Sequence, residues 1–354
     1  MSGDVEIGVA RGIGRIVLNR PRALNALTHD MEVAIDEALT RWAQDSAVRL
    51  VLIEGRGERG FCAGGDIRAL YDAAREGRAG LAYLFFGDEY RMNAHIANYP
   101  KPYVALMDGI VMGGGVGLSA HGSHRIVTET TMLAMPEVGI GFVPDIGGSY
   151  LYGHMPGETG VHAGMTGARL SGADAIYGGL ADHFVKSERL HDLVEALAGA
   201  DGHQEVTARI RRFAETPPDS ALAAARGWID RCYAKPTAEA ILAALDAEEG
   251  DGPKAAAATI RKVSPLSVKL TLRLVREAKR DRRVEPAIDR EYRVAVRCVA
   301  GHDFVEGVRA QIVEKDRNPR WNPATLEAVS DADVESYFAS LGDKELGLAT
   351  AVNS

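Results

Sequence analysis

Apolar residues along the first 200 positions fall into short runs and amphipathic stretches that alternate in order. GRIVLNRP (14–21) is β-branched and ends at Pro21, which predicts a strand. Thr28 is placed to cap DMEVAIDEALTRWAQD, in which Ile35, Leu39 and Trp42 share one helical face. VRLVLIEG (48–55) and PYVALMDG (102–109) are apolar runs closed by glycine, the pattern of strands buried on both faces. DIRALYDAAREGR (66–78) and GGGVGLSAHG (113–122) read as helices, and HRIVTE (124–129) as a further strand. Strand, glycine turn and helix therefore recur to about residue 190, which predicts an α/β architecture with crossover helices.

After about residue 200 the pattern changes. ALAAARGWIDRCYA, AEAILAALDAEE and PLSVKLTLRLVREAKRDRR are helical, and no run has strand character. Ser264 before Pro265 is a strong helix start, and SDADVESYFASLG opens on a similar cap. The expected organisation is an α/β core over residues 1–200 and a helical C-terminal region over 201–354.

Composition narrows the class. A net charge of −8 and the lack of a basic footprint argue against nucleic-acid binding. No uncharged apolar stretch is long enough to span a bilayer, so no membrane association is expected. Three cysteines, Cys62, Cys232 and Cys298, cannot build a disulfide framework and fit a reducing compartment. The start, MSGDVEIGVARG, has neither a leader nor a transit composition. A cytoplasmic enzyme is the expectation.

Several motifs carry possible chemistry. GRGERG (55–60) satisfies G-x-G-x-x-G after a strand, but the second strand ending in an acid is missing, so a surface turn is the better reading. Ser119 stands in GLSAH, where a nucleophile elbow needs glycine in place of His121. His121 and His124 lack the further ligands a metal requires, and no metal is expected. Cys62 has no nearby histidine, and the basic run at 273–283 is a solvated helix face or a phosphate contact. The clusters GFCAGGD and VMGGGVG each follow a strand and precede a helix. Either they allow tight helix–strand packing, or their free N–H groups converge as an oxyanion hole. LAMPEVGIGFVPDIGG (133–148) holds two acids, Glu137 and Asp145, with no basic residue between them. Dehydrated surroundings would push such carboxyls upward and make them stronger bases; the alternative is that both merely cap glycine turns.

LNRPRALNAL, FCAGGDIRAL, KPYVALMDGIVMGGGVGLSAHG, AMPEVGIGFVPDIGGSY and the segment from EYRVAVRCVAGHDFVEGVRA to KDRNPRW resemble the crotonase (enoyl-CoA hydratase/isomerase) superfamily. The likeness covers nearly the whole chain and is weakest over 190–260. It implies a crotonase-like spiral of ββα units with an α-helical C-terminal region. The MPE…PDIGG pair and the GHDFVEGVRA tail resemble the branch that hydrolyses 3-hydroxyisobutyryl-CoA in valine breakdown. The resemblance implies oxyanion donors at the N–H of Gly65 and Gly114, with Ala63 beside the adenine and Arg22 and Arg68 near the CoA phosphates. Gly64 and Asp66 of the same AGGD segment are carried over as substrate-binding positions. Glu137 is implied as base or nucleophile, Asp145 as its assistant or as the contact of the 3-hydroxyl, and Glu89 as a further substrate contact. The first catalytic glutamate of hydratases falls at Gly117, which counts against plain hydratase chemistry. CoA enters as part of the substrate, and no separate cofactor is expected. Hydratase, isomerase or another acyl-CoA activity is the alternative, and a non-catalytic CoA-binding module a distant one. A homo-oligomer, or a C-terminal region that replaces the neighbour's contribution, are both compatible with the sequence.

Overall fold

The computed structural model describes residues 3–351 and separates into two compact units. The first comprises the described residues up to Gly65, Arg91–Ala134 and Arg169–Ser220. All ten strands of the described residues lie in it: β1 (Val5–Ala10), β2 (Ile13–Leu18), β3 (Leu50–Gly55), β4 (Gly60–Cys62), β5 (Tyr103–Met107), β6 (Ile110–Met112), β7 (His124–Val127), β8 (Met132–Ala134), β9 (Leu170–Ser171) and β10 (His183–Phe184). One sheet runs β1-β2-β3-β5-β7-β10, with β1 antiparallel to β2 and every later pairing parallel. The other runs β4-β6-β8-β9, parallel except at β8–β9.

The repeat of the architecture is visible in this order. β3 and β4, β5 and β6, and β7 and β8 are consecutive pairs, each giving one strand to each sheet before the chain enters a helix or helical turn. That is the expected spiral of ββα units. Leu50, Leu52, Val104, Leu106 and Ile126 form one buried layer, closed by Leu193, Leu197, Val206 and Ile210 from the helices Leu190–Leu197 and Gly202–Ile210. Burial on both faces explains why β3 and β5 read as unbroken apolar runs. Helix His29–Gln44 starts where expected, with the Thr28 hydroxyl accepting from Met31 N at 3.3 Å and Ile35, Leu39 and Trp42 buried.

The second unit comprises Asp66–Tyr90, Met135–Ala168 and the chain from Ala221 onward, and its described residues contain no strand. Helix Pro265–Ala278 is central to it. Ser264 caps its first turn, accepting from Ser267 N at 3.1 Å, and Pro265 occupies a position whose N–H would have had no partner. Its buried face, including Leu270, Leu274 and Val275, packs against helices Gly148–Gly153 and Thr159–Thr166. A Cβ at Gly164 would stand 2.9 Å from Thr271 Cγ2, so the absence of a side chain sets how closely these helices approach. Helices Glu285–Ala300 and His302–Val308 complete the surroundings of the acidic residues.

Candidate active site

In the first unit, parallel pairing of β4 with β6 sets Cys62 opposite Val111. This register brings the two glycine clusters, fifty residues apart in sequence, side by side. The approach leaves no room for side chains: a Cβ at Gly115 would lie 2.5 Å from Cys62 O. One at Gly64 would lie 3.3 Å from Met112 O and 3.7 Å from Gly114 N. Gly64 also has φ +109°, a conformation other residues rarely take. Gly114 begins helix Gly114–Ser119, so its N–H has no intrahelical partner. Among the described residues, neither Gly65 N nor Gly114 N donates a backbone hydrogen bond. The tight-packing reading of the clusters holds, and the packing leaves the Gly65 and Gly114 N–H groups without a backbone acceptor among the described residues.

In the second unit, Glu137 opens a 3-10 turn, Glu137–Ile140, that ends at left-handed Gly141. Helix His302–Val308 lies directly on this turn, since a Cβ at Gly307 would collide with the Ile140 carbonyl. The same turn is tied to the start of helix Pro265–Ala278 by Ser264 N donating to Val138 O at 3.2 Å. Glu137 is thereby fixed in an apolar setting. Its Oε2 is buried and has no hydrogen-bond partner. Burial first, and the neighbouring Asp145 carboxylate second, hold the Glu137 carboxyl well above the ordinary range. Phe142, whose N–H donates to Glu137 O at 3.0 Å, stacks on Phe86 at 5.5 Å and meets Phe304 at 5.8 Å.

Asp145 is also buried, and its Oδ2 accepts from the Tyr90 hydroxyl at 2.7 Å. Burial raises its carboxyl to about 7, the Tyr90 hydroxyl opposes that rise, and the Glu291 carboxylate adds to it. Glu291 itself is raised to about 6, again chiefly by burial, and is held down by bonds from Ser149 and Gly147. Glu137, Asp145 and Glu291 are thus all buried in the same unit. The DIGG turn is capped by an acid from elsewhere in the chain, Glu291, accepting from Gly147 N at 2.6 Å and Ser149 N at 2.8 Å.

The remaining sequence-predicted positions fall as follows. Glu89 is buried one residue before Tyr90 in helix Leu81–Ala97. Ala63 is half-buried, its N–H donating to Leu24 O at 3.0 Å. Arg22 is exposed in the short turn Pro21–Ala23, and Arg68 is exposed in the first turn of helix Ile67–Arg75, preceded by Asp66. The discarded motifs have structural employment. The Ser119 hydroxyl donates back to Gly115 O at 2.7 Å, and His124 is bonded by Ser123 and Thr207 and stacked on His203. Cys62 is buried. Sequence reasoning missed Tyr90 and Glu291. Glu291 had one available signal: it lies on the apolar stripe of its helix with Ile288 and Ala295, a place for a charge only if it has partners.

The family pattern described as Enoyl-CoA hydratase/isomerase matches residues 13–338. The chain belongs to the enoyl-CoA hydratase/isomerase family. It is 42% identical over 347 residues to a Danio rerio protein named 3-hydroxyisobutyryl-CoA hydrolase, mitochondrial, covering 95% of this chain and 89% of that one. A Rattus norvegicus protein of the same name is 41% identical, with 94% and 88% covered. Among solved structures, one described as a carnitinyl-CoA dehydratase from Mycobacterium thermoresistibile is 49% identical, with a TM-score of 0.92 and 98% of each chain covered. The hydrolase relatives are named as mitochondrial, which overturns the cytoplasmic expectation. Cys62, Cys232 and Cys298 are free and buried, and their state does not distinguish one compartment from another.

Proposed function

We propose that this protein hydrolyses the thioester of 3-hydroxyisobutyryl-CoA, releasing 3-hydroxyisobutyrate and CoA. The observation that carries the chemistry is the Glu137 Oε2, buried and without a partner. A carboxylate so placed is poorly solvated and accepts a proton, or attacks a carbonyl, more readily than one in water. Glu137 either deprotonates the attacking water or attacks the thioester carbon itself, forming an anhydride that water then opens. In both routes one water is consumed, the C–S bond breaks and the thiol leaves with a proton. The N–H groups of Gly65 and Gly114 donate to the oxygen on which negative charge develops. Asp145, steadied by Tyr90, bonds the 3-hydroxyl or assists the proton transfer. Glu89 is a further substrate contact, while Ala63, Gly64, Asp66, Arg22 and Arg68 serve the CoA portion. We assign the chain no metal and no cofactor other than the CoA of its substrate, and leave homo-oligomerisation as a proposal.

The names of the relatives in Danio rerio and Rattus norvegicus support this acyl group. A second reading, hydration or dehydration of a CoA thioester, is favoured by the description of the Mycobacterium thermoresistibile structure. Against it stands Gly117, which offers no side chain where the first hydratase acid is expected. A panel of CoA thioesters read by free-thiol release, run beside hydration of crotonyl-CoA, separates the two. Thiol release highest on 3-hydroxyisobutyryl-CoA supports hydrolysis, and crotonyl-CoA hydration without thiol release refutes it.

A further inference from the structure

The segment Asp145–Ser149 is a strained turn. Ile146 has φ +55° and Gly147 φ +79°, and Gly148 N donates to Asp145 O at 2.6 Å. A β-branched side chain in the left-handed region is an outlier that persists only where its surroundings impose it. The turn is gripped by a residue some 140 positions later in the chain. The two oxygens of Glu291 take up Gly147 N at 2.6 Å, Ser149 N at 2.8 Å and the Ser149 hydroxyl. Every one of these donors belongs to the far limb of the turn. The near limb ends in the Asp145 carboxylate, held from another side by the Tyr90 hydroxyl at 2.7 Å.

We propose that Glu291 is a positioning residue that clamps the Asp145–Ser149 turn in its left-handed form and so aims the Asp145 carboxylate. The inference rests on the reading of Asp145 given above. A purely structural cap for two N–H groups could be a backbone carbonyl or an amide. A carboxylate buried near two other buried acids costs stability, so its presence calls for a reason beyond satisfying donors. The ionisable groups facing Asp145 are Tyr90, Glu137, Glu291 and the Cys298 thiol, and each has its own pKa raised by burial. Arg290, next to Glu291, is engaged by Asp281 and Glu277. Glu291 is the member of this set that both touches the turn and lifts Asp145.

The test is Glu291→Gln in the full-length chain, which keeps size and acceptor but removes the charge and misaligns one of the bonds. Kinetics are measured on a 3-hydroxyacyl-CoA and on the unsubstituted thioester of the same length. A carboxylate displaced by about 1 Å costs about 100-fold in turnover, and we expect roughly 10- to 100-fold on the hydroxylated substrate with a smaller loss on the other. The pH midpoint that belongs to Asp145 moves down, because a neighbouring negative charge is gone. In an Asp145→Asn background, Glu291→Gln adds little. Should Glu291→Gln fail to fold, Ser149→Ala removes one of the three bonds and gives a smaller loss with the same bias. Equal losses on both thioesters, additivity with Asp145→Asn, or an unmoved midpoint overturns the inference while leaving Asp145 in place. If Asp145→Asn alone changes neither rate nor preference, the reading of Asp145 falls, and the inference with it.

Discussion

Asp145→Asn should make the protein more stable at alkaline pH while damaging its activity. The Asp145 carboxyl titrates near 3.8 when unperturbed and near 7 in the folded protein. Below about pH 4 it is protonated in both folded and unfolded chains and costs nothing. Between about 4 and 7 the unfolded chain releases the proton and the folded chain retains it, so folding stability falls as pH rises. Above about 7 the loss is complete. About three pH units at 1.36 kcal/mol each bounds the effect near 4 kcal/mol. An asparagine still accepts from the Tyr90 hydroxyl at this position, and its own burial cost leaves roughly half that bound as a gain. Thermal melts at pH 5 and pH 8 read this directly. For a chain of this size, about 2 kcal/mol corresponds to a melting point higher by roughly 4 °C at pH 8, with much less gain at pH 5. A variant destabilised equally at both pH values would show that Asp145 does not carry a buried charge, and would refute the reasoning.

Tyr90→Phe deletes the donor that favours ionised Asp145, so its midpoint should rise by roughly one pH unit or more, seen as an inflection of kcat/KM moving up; an unmoved inflection contradicts this. Gly114→Pro removes one of the two unpartnered N–H donors and should cost about 100- to 1000-fold in kcat in protein shown to be folded by circular dichroism. Arg22→Ala and Arg68→Ala, both at exposed positions, should raise KM for CoA thioesters far more than they lower kcat, with the effect shrinking in high salt; reduced kcat at unchanged KM would displace the nucleotide end from these residues.

Much of the fold was legible because burial leaves a periodic signature. The long strands β2, β3, β5 and β7 appear as apolar runs, and the caps at Thr28, Ser264 and Ser330 mark helices that form where expected. β4, β6 and β8 were not read, because three residues are too few to show a period. Those short strands nevertheless decide the site, since the β4–β6 register is what brings Gly64 beside Gly114. Glu137 and Asp145 stood out in sequence by being acids in an apolar stretch. Tyr90 and Glu291 did not, because their meaning comes from residues 55 and 142–144 positions away. Local composition cannot encode such a pairing; only the packed unit can.

Glu137→Gln tests the central claim most directly. The substitution preserves volume at a buried position but removes the proposed proton acceptor and nucleophile. Loss of a positioned acid–base group typically costs on the order of 100- to 10,000-fold. Thiol release from 3-hydroxyisobutyryl-CoA by the folded variant should fall by at least about 1000-fold while CoA still binds with near wild-type affinity. Turnover within about tenfold of wild type would show that the buried Glu137 carboxylate is not the group that performs the hydrolysis.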